Sequence, residues 1–383
     1  MVDWDRVRSD FPVSRDKVYL MSAAMSPMPS VVFERVVSEY RRINEAGDIF
    51  WEEDIKTCRG LRSRIGGMIN ASADDLAFVA NTSTAMSILA LSLKGDGGRD
   101  FNIVSMADEF PASTVPFEFQ RLKMNYAQPT GARYPVESVL ERVDKGTLAV
   151  VTSHVQYATG FRQDLERLGV ELKKRGVLHI VNATQAFPIF PVDVKAMRID
   201  AMSASLHKWG FAGHVGALFY TSPEFRARFA APMAGWLSVA PRPGAFIHTG
   251  KNEPFELYDT ADRYVQGCIN FQAINTMHAA LDYLESIGSE NVVKKIHELN
   301  DYLIAGLWRV GACIVSPIDS IDERSAILSF NIGERTADCV AYLEAQNIFV
   351  SYRQGNIRSA VNIFNDEQDI DRLLTAIEFF GGV

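Results

Sequence analysis

Cysteine is scarce. The chain has four in 383 residues, Cys58, Cys268, Cys313 and Cys339, far apart and without C-x-x-C spacing. No disulfide framework or zinc site is indicated, and buried free thiols are the expectation. Long apolar runs are also missing: none reaches membrane-spanning length, and the opening Met1-Val2-Asp3-Trp4-Asp5-Arg6 has no signal-peptide core. A cytoplasmic protein with no membrane partner is expected. Blocks of like charge are absent although the formal net charge is -8, which argues against nucleic acid and favours a small-molecule substrate. Internal repeats and low-complexity tracts are absent too.

What is present suits a large globular chain. At 47% hydrophobic and 22% charged, 383 residues can form two packed domains. An amphipathic start (Trp4, Val7, Phe11) leads to a short strand at Val18–Met21, and Val31–Gly67 has helical period. Strands are expected at Asp74–Ala80, Asn102–Ser105, Leu148–Ser153 and Leu178–Val181, with helices between them, as at Leu165–Arg175. That alternation predicts an α/β fold with a mainly parallel sheet, whose ligand sites lie beyond the carboxyl ends of the strands. The stretch 222–254, with Pro232, Pro241, Pro243 and Gly244, is irregular, and a long loop in a compact protein is usually functional or at an interface. A long helix near 269–287 then leads to a small α+β region closed by the helix Asp366–Phe379.

Two stretches carry chemistry. In Ser203–Tyr220, Lys208 stands between a polar run (Ser203, Ser205, His207) and a Gly-rich apolar run (Gly210, Gly213, Gly216), in a turn between two strands. A desolvated lysine amine deprotonates near neutral pH and forms a Schiff base with a carbonyl. A lone lysine would more simply be a surface or interface residue. Upstream, Asn81-Thr82-Ser83-Thr84 joins a strand to an apolar helix, and exposed amides at a helix start attract phosphate. Thr82 and Ser83 are the candidate phosphate ligands, with a plain N-cap as the rival role for either.

At Ser205, His207 and Lys208 the chain resembles the class V aminotransferase group of fold-type I pyridoxal phosphate (PLP) enzymes, which includes cysteine desulfurases, kynureninases and isopenicillin epimerase-like proteins. The turn after Lys208 departs from the family pattern, with Phe211-Ala212-Gly213-His214 and only Gly216 in register. The resemblance spans Tyr19 to Leu374. It implies a large PLP-binding domain (17–262) with a mainly parallel sheet of the seven-stranded type, and a small α+β domain formed by 1–16 and 285–383, joined by the helix 269–287.

The resemblance also implies roles. Lys208 would carry PLP and act as base and acid at the substrate α-carbon, while Ser205 and His207 join Thr82 and Ser83 around the phosphate. Phe110, followed by Pro111 as in the kynureninase-like branch, would stack on the pyridine ring; a core phenylalanine is the alternative. Gln185 would touch the phenolic oxygen, where Tyr157 is either a second contact or a packing residue. The loop holding Ala24 would line the substrate edge unless it is a plain tight turn, and Arg358 would bind the α-carboxylate unless it forms a structural ion pair. Cys268 replaces a threonine that in relatives crosses a homodimer interface to the neighbour's phosphate, and a thiol is a poor donor there.

Two departures bear on the reaction. Asn182 stands where the family has an aspartate on the pyridine nitrogen, and a neutral amide stabilises a pyridinium less well. The segment Arg353-Gln354-Gly355-Asn356 holds no cysteine where one desulfurase branch places its nucleophile. The expectation is therefore a class V aminotransferase acting on an amino acid, with a PLP-dependent lyase or epimerase, or a weakly catalytic PLP-binding protein, as alternatives.

Overall fold

The computed structural model describes residues 2–95, 100–241 and 254–381. After β1 (Val18–Tyr19), seven strands form the central sheet: β2 (Leu76–Val79), β3 (Asn102–Met106), β4 (Lys123–Ala127), β5 (Thr147–Ser153), β6 (Leu178–Asn182), β7 (Ala201–Ser205) and β8 (Ala217–Thr221). Their spatial order is β2-β8-β7-β6-β5-β3-β4. Five neighbouring strands from β7 to β4 run parallel, and β8 runs antiparallel to both β2 and β7. Strands β2, β3, β6, β7 and β8 are buried along their whole length, which is why they read as unbroken runs of apolar and small residues. The exposed Lys123 begins β4, an edge strand, where charge discourages further pairing.

The antiparallel β7–β8 pair needs only a short connection, and Lys208 sits on it, just past the carboxyl end of β7. Around that end lie Ser153 at the end of β5, Asn182 at the end of β6 and Ser205 at the end of β7, with Thr82 following β2.

A second sheet, in the order β12-β13-β10-β9, comprises β9 (Cys313–Ile314), β10 (Ile327–Asn331), β12 (Ser351–Arg353) and β13 (Asn356–Ala360). The short β11 (Ile348–Phe349) pairs in parallel with β1, and the Ala360 amide donates to the Leu20 carbonyl at 2.8 Å. The N-terminal segment thereby joins the C-terminal layer, where Arg8 also holds the Asp369 carboxylate at 2.7 and 2.9 Å. The helix Phe271–Ile287 packs on both Ser30–Ala46 and Trp51–Ile69 and leads into Ser289–Arg309.

The single helix expected over Val31–Gly67 is two, Ser30–Ala46 and Trp51–Ile69. Gly47 ends the first with φ 61, a left-handed backbone that glycine adopts without a Cβ clash. Arg42 of the first helix ties back to Asp54 of the second. Of the irregular stretch 222–254, a helix at Pro223–Arg228 is present, whereas 242–253, with Pro243 and Gly244, lie outside the described residues. Among the described residues no helix is long and apolar enough to cross a membrane, and no group of His, Cys, Asp and Glu is placed to hold a metal ion.

Candidate active site

A cavity of ≈ 330 Å³ opens beyond the carboxyl ends of the central strands. Lys208, Thr82, Ser83, Phe110, Tyr157, Asn182, Gln185, Ser205, His207, Ala24 and Arg358, drawn from distant parts of the chain, all line it. The loop with Ala23 and Ala24 is pinned to the Lys208 turn, because the Ser26 amide donates to the His207 carbonyl at 3.1 Å and Gln185 Nε2 donates to the Ala23 carbonyl at 2.9 Å.

At one end the helix Thr82–Lys94 presents its N-terminus. Its cap is Asn81, whose side chain accepts from the Thr84 amide at 2.9 Å, so neither Thr82 nor Ser83 is used as the cap. Thr82 Oγ1 instead lies 2.8 Å from Ser205 Oγ and 3.2 Å from Thr184 Oγ1. Hydroxyls clustered on free helix amides suit an oxyanion. His207 stays neutral around pH 7, since burial, then Lys208 and His214, pull its pKa down to about 4.

In the middle, Lys208 Nζ lies 5.5 Å from the centroid of the Phe110 ring. Burial, followed by the charges of Arg358 and Arg353, pulls the Lys208 pKa down to about 7, so a reactive free amine is available near neutrality. Phe110 is not a core residue: it is 43% exposed, and the edge of Tyr157 meets it at 5.3 Å. Gln185 is held by the Ala23 carbonyl and by Trp209 Nε1, which donates to its Oε1 at 3.0 Å. Asn182 Oδ1 accepts from the Thr184 amide at 3.1 Å, and its Nδ2 donates to Ser113 Oγ at 3.0 Å.

At the far end Arg358, on β13, is 3% exposed. Its Nη1 donates to the Tyr157 carbonyl at 2.8 Å, Nη2 reaches Ser351 Oγ at 3.3 Å and Nε has no partner. Among the described residues no carboxylate pairs with it, so the structural ion pair is not what holds it there. A buried, incompletely satisfied guanidinium facing a cavity suits a carboxylate ligand.

Cys268 lies elsewhere. It is exposed and lines a separate cavity of ≈ 310 Å³ with Gly267, His214 and Asn270. Any contribution from it to a cofactor site therefore requires a second chain. No cysteine lines the Lys208 pocket. The segment Arg353–Asn356, which holds no cysteine, is a tight β12–β13 hairpin turning at Gln354 (φ 48) and Gly355 (φ 81).

The sequence does not single out Thr184, Ser153 and Asn81 as lining residues, and Arg353 faces the pocket as well. Thr184 was detectable from its place between Asn182 and Gln185 at a strand end. Glu109, buried beneath the floor, gave no signal beyond preceding Phe110.

The residues fit PLP: a hydroxyl-lined helix start for a phosphate, a desolvated amine for a carbonyl, an aromatic face, and a buried arginine for a substrate carboxylate. The family model "Aminotransferase class-V" matches residues 18–373. The chain belongs to the class V aminotransferase family. PLP is its cofactor. Among curated relatives, a probable cysteine desulfurase of Methanothermobacter thermautotrophicus is 26% identical, with 98% of each chain covered, and one of Pyrococcus abyssi is 24% identical, with 97% of this chain and 96% of that one covered. The apo cysteine desulfurase of Thermococcus onnurineus NA1 superposes with TM-score 0.90 at 21% identity, covering 100% of this chain and 99% of that one. A cystine C-S lyase in complex with its product cysteine persulfide superposes at 0.86 and 19% identity, covering 96% and 99%. These structures have the fold-type I architecture found here. The chain is a PLP-dependent class V enzyme.

Proposed function

We propose that this enzyme is an aminotransferase acting on an α-amino acid, with Lys208 as its proton carrier. The observation that carries the reading is that Lys208 is the one lining group with a pKa shifted close to neutrality. Among the other lining groups, His207 is held neutral, burial raises the Tyr157 pKa, and Arg358, whose pKa burial lowers to about 10, stays a cation near neutrality. Moving a proton between two positions on one face needs one base. Epimerisation by two bases needs a second one on the opposite face. Sulfur transfer to the enzyme needs a thiol, and no cysteine lines the pocket.

PLP, when bound, supplies a carbonyl that captures the amino group and a ring that withdraws electrons from the α-carbon. The chain's residues do the rest. Arg358 binds the substrate carboxylate and fixes which α-bond faces Lys208, whose free amine takes the α-proton at Nζ and returns it. Thr82, Ser83, Ser205 and His207 hold the phosphate end, and Phe110 covers a ring face. A homodimer belongs to the same proposal, resting on the family resemblance around Cys268 and on that residue's exposure; sedimentation would test it.

A β-eliminating C–S lyase is the second reading, favoured by the structural neighbour that is a cystine C-S lyase. A disulfide-bearing substrate would expel a persulfide anion, which needs no acid from the protein. The deciding experiment mixes PLP-loaded protein with a panel of amino acids, with and without a keto-acid acceptor. An aminotransferase yields keto acid only stoichiometrically until the acceptor is added. Continuous release of keto acid and ammonia from cystine without an acceptor would replace it with the lyase reading.

A further inference from the structure

Beneath the floor of the pocket a buried carboxyl, Glu109, lies close to Asn182. Asn182 Oδ1 faces the Thr184 amide, which can only donate, so the side-chain orientation is fixed and Nδ2 must be the atom that donates to Ser113 Oγ. With its oxygen receiving that N–H, Ser113 keeps its own proton free, and its hydroxyl is among the groups that lower the pKa of the neighbouring Glu109. Ser153, the register partner of Asn182 across β5 and β6, donates to the same carboxylate, so Glu109 lies beside Asn182 from two directions.

The other partners of Glu109 are donors as well. Its Oε1 accepts from the Ser153 amide at 2.5 Å, and its Oε2 accepts from Ser153 Oγ at 2.6 Å and from the Phe110 amide at 3.3 Å. Among the described residues no arginine, lysine or histidine pairs with it, although it is only 7% exposed. Three donors around a buried carboxyl and no cation describe a negative charge held in place by hydrogen bonds rather than by an ion pair. Burial pushes its pKa up and these donors pull it back, to about 7. The groups around it add no compensating positive charge. Asp108 adjoins it, and Tyr134 and Tyr157 have their own pKa values raised in part by its charge. His154, which follows Ser153 on β5, is kept neutral by burial, with its pKa near 3.

We propose that Glu109, acting through the Ser113 hydroxyl and the Asn182 amide, is the carboxylate that keeps the pyridine nitrogen of the cofactor protonated. It does from one layer below what a directly contacting aspartate would do at position 182. Its negative charge in a low-dielectric floor lowers the free energy of a protonated ring nitrogen beside Asn182. The Asn182 oxygen keeps a second lone pair to accept that proton's hydrogen bond. Glu109 touches neither substrate nor ring and acts by position and charge.

This inference rests on PLP being held by Lys208 with its ring over Asn182. The test uses whole protein loaded with PLP carrying nitrogen-15 in the ring, whose resonance separates protonated from free-base nitrogen, while the visible absorption band reports the link to Lys208 independently. At about pH 8, where a carboxyl near 7 is ionised, wild type is expected to show the protonated nitrogen and Glu109→Gln the free base. Glu109→Gln/Asn182→Asp is expected to regain the proton. Ser113→Ala keeps the carboxyl and breaks only the relay, so it serves if Glu109→Gln fails to fold, and it should shift the nitrogen's titration midpoint downward. A visible band with an unchanged nitrogen resonance in Glu109→Gln, or an unchanged midpoint in Ser113→Ala, overturns the role of Glu109 alone. Absence of the band in wild type overturns the Lys208 reading and this inference with it.

Discussion

Lys208 Nζ stands over the Phe110 ring, 5.5 Å from its centroid, so the reactive amine and the aromatic face bound the same slot. Phe110 is 43% exposed, so replacing it leaves the core intact. Phe110→Ala should weaken PLP binding by about 0.5–1.5 kcal/mol. Titrating apoprotein with PLP measures this, and an unchanged affinity would remove Phe110 from the ring site.

Lys208 offers a test in the apoprotein. Its pKa lies near 7 in the fold and at 10.5 when exposed, so the unfolded chain holds the extra proton between those limits. The sign is then fixed: this group's contribution to stability rises with pH from about 7 to 10.5, and below 7 the charged amine is at its most destabilising. Lys208→Met should have a higher melting temperature than wild type below pH 7, with the difference shrinking as pH rises through that window. A constant difference would mean that the amine is not desolvated. With PLP present, the same variant should lose turnover by about 10²–10⁴-fold.

Arg358 has an unpartnered Nε and two neutral partners, the Tyr157 carbonyl and Ser351 Oγ. Removing a charge-assisted bond to a substrate carboxylate costs about 1.5–3 kcal/mol, so Arg358→Ala should raise KM by roughly 10- to 150-fold. Arg358→Lys should recover little, because an ammonium cannot pair bidentately. A KM unchanged in both variants would assign the arginine to packing alone.

Asn81 caps the helix that faces the phosphate end of the pocket. Asn81→Ala should cost about 0.5–2 kcal/mol of stability in urea denaturation. PLP affinity should fall with it, since fraying the first turn misaligns the amides next to Thr82 and Ser83. Loss of stability with affinity intact would place the phosphate elsewhere.

Gly160 (φ +74) passes so close to the Ile327 carbonyl that an added Cβ would overlap it, and Ser325 Oγ donates to the Gly160 carbonyl at 2.7 Å. Gly160→Ala should destabilise by on the order of 1–3 kcal/mol. It should also reduce activity, because the central layer meets β10 there and β13, with Arg358, pairs with β10. Normal activity in a destabilised variant would separate that contact from the site.

Strand positions and the Lys208 turn were legible in the sequence because buried parallel strands are compositionally distinct and end where small and polar residues begin. The Thr82–Ser83 helix start was legible for the same reason, as was the grouping of Asn182, Gln185 and Arg358 through family resemblance. The Gly47 break was not, since apolar period continues on both sides of it and a two-helix hairpin keeps one face inward. Cys268 follows a loop whose direction only the tertiary fold sets. The Asn182–Ser113 hydrogen bond joins two separated segments, and such a bond leaves no trace in the sequence of either one. Departures from a family pattern at Asn182 were visible, but not what lies behind them.

The pairing of β1 with β11, and of Leu20 with Ala360, hangs the loop holding Ala23 and Ala24 from the same layer that carries Arg358. The two sides of the substrate mouth are therefore parts of one jaw. Any rocking of that jaw against the central sheet would carry the carboxylate anchor and the loop together, and would first break the Ser26–His207 and Gln185–Ala23 hydrogen bonds that tie the loop to the Lys208 side. Opening the mouth and releasing the carboxylate would then be a single motion.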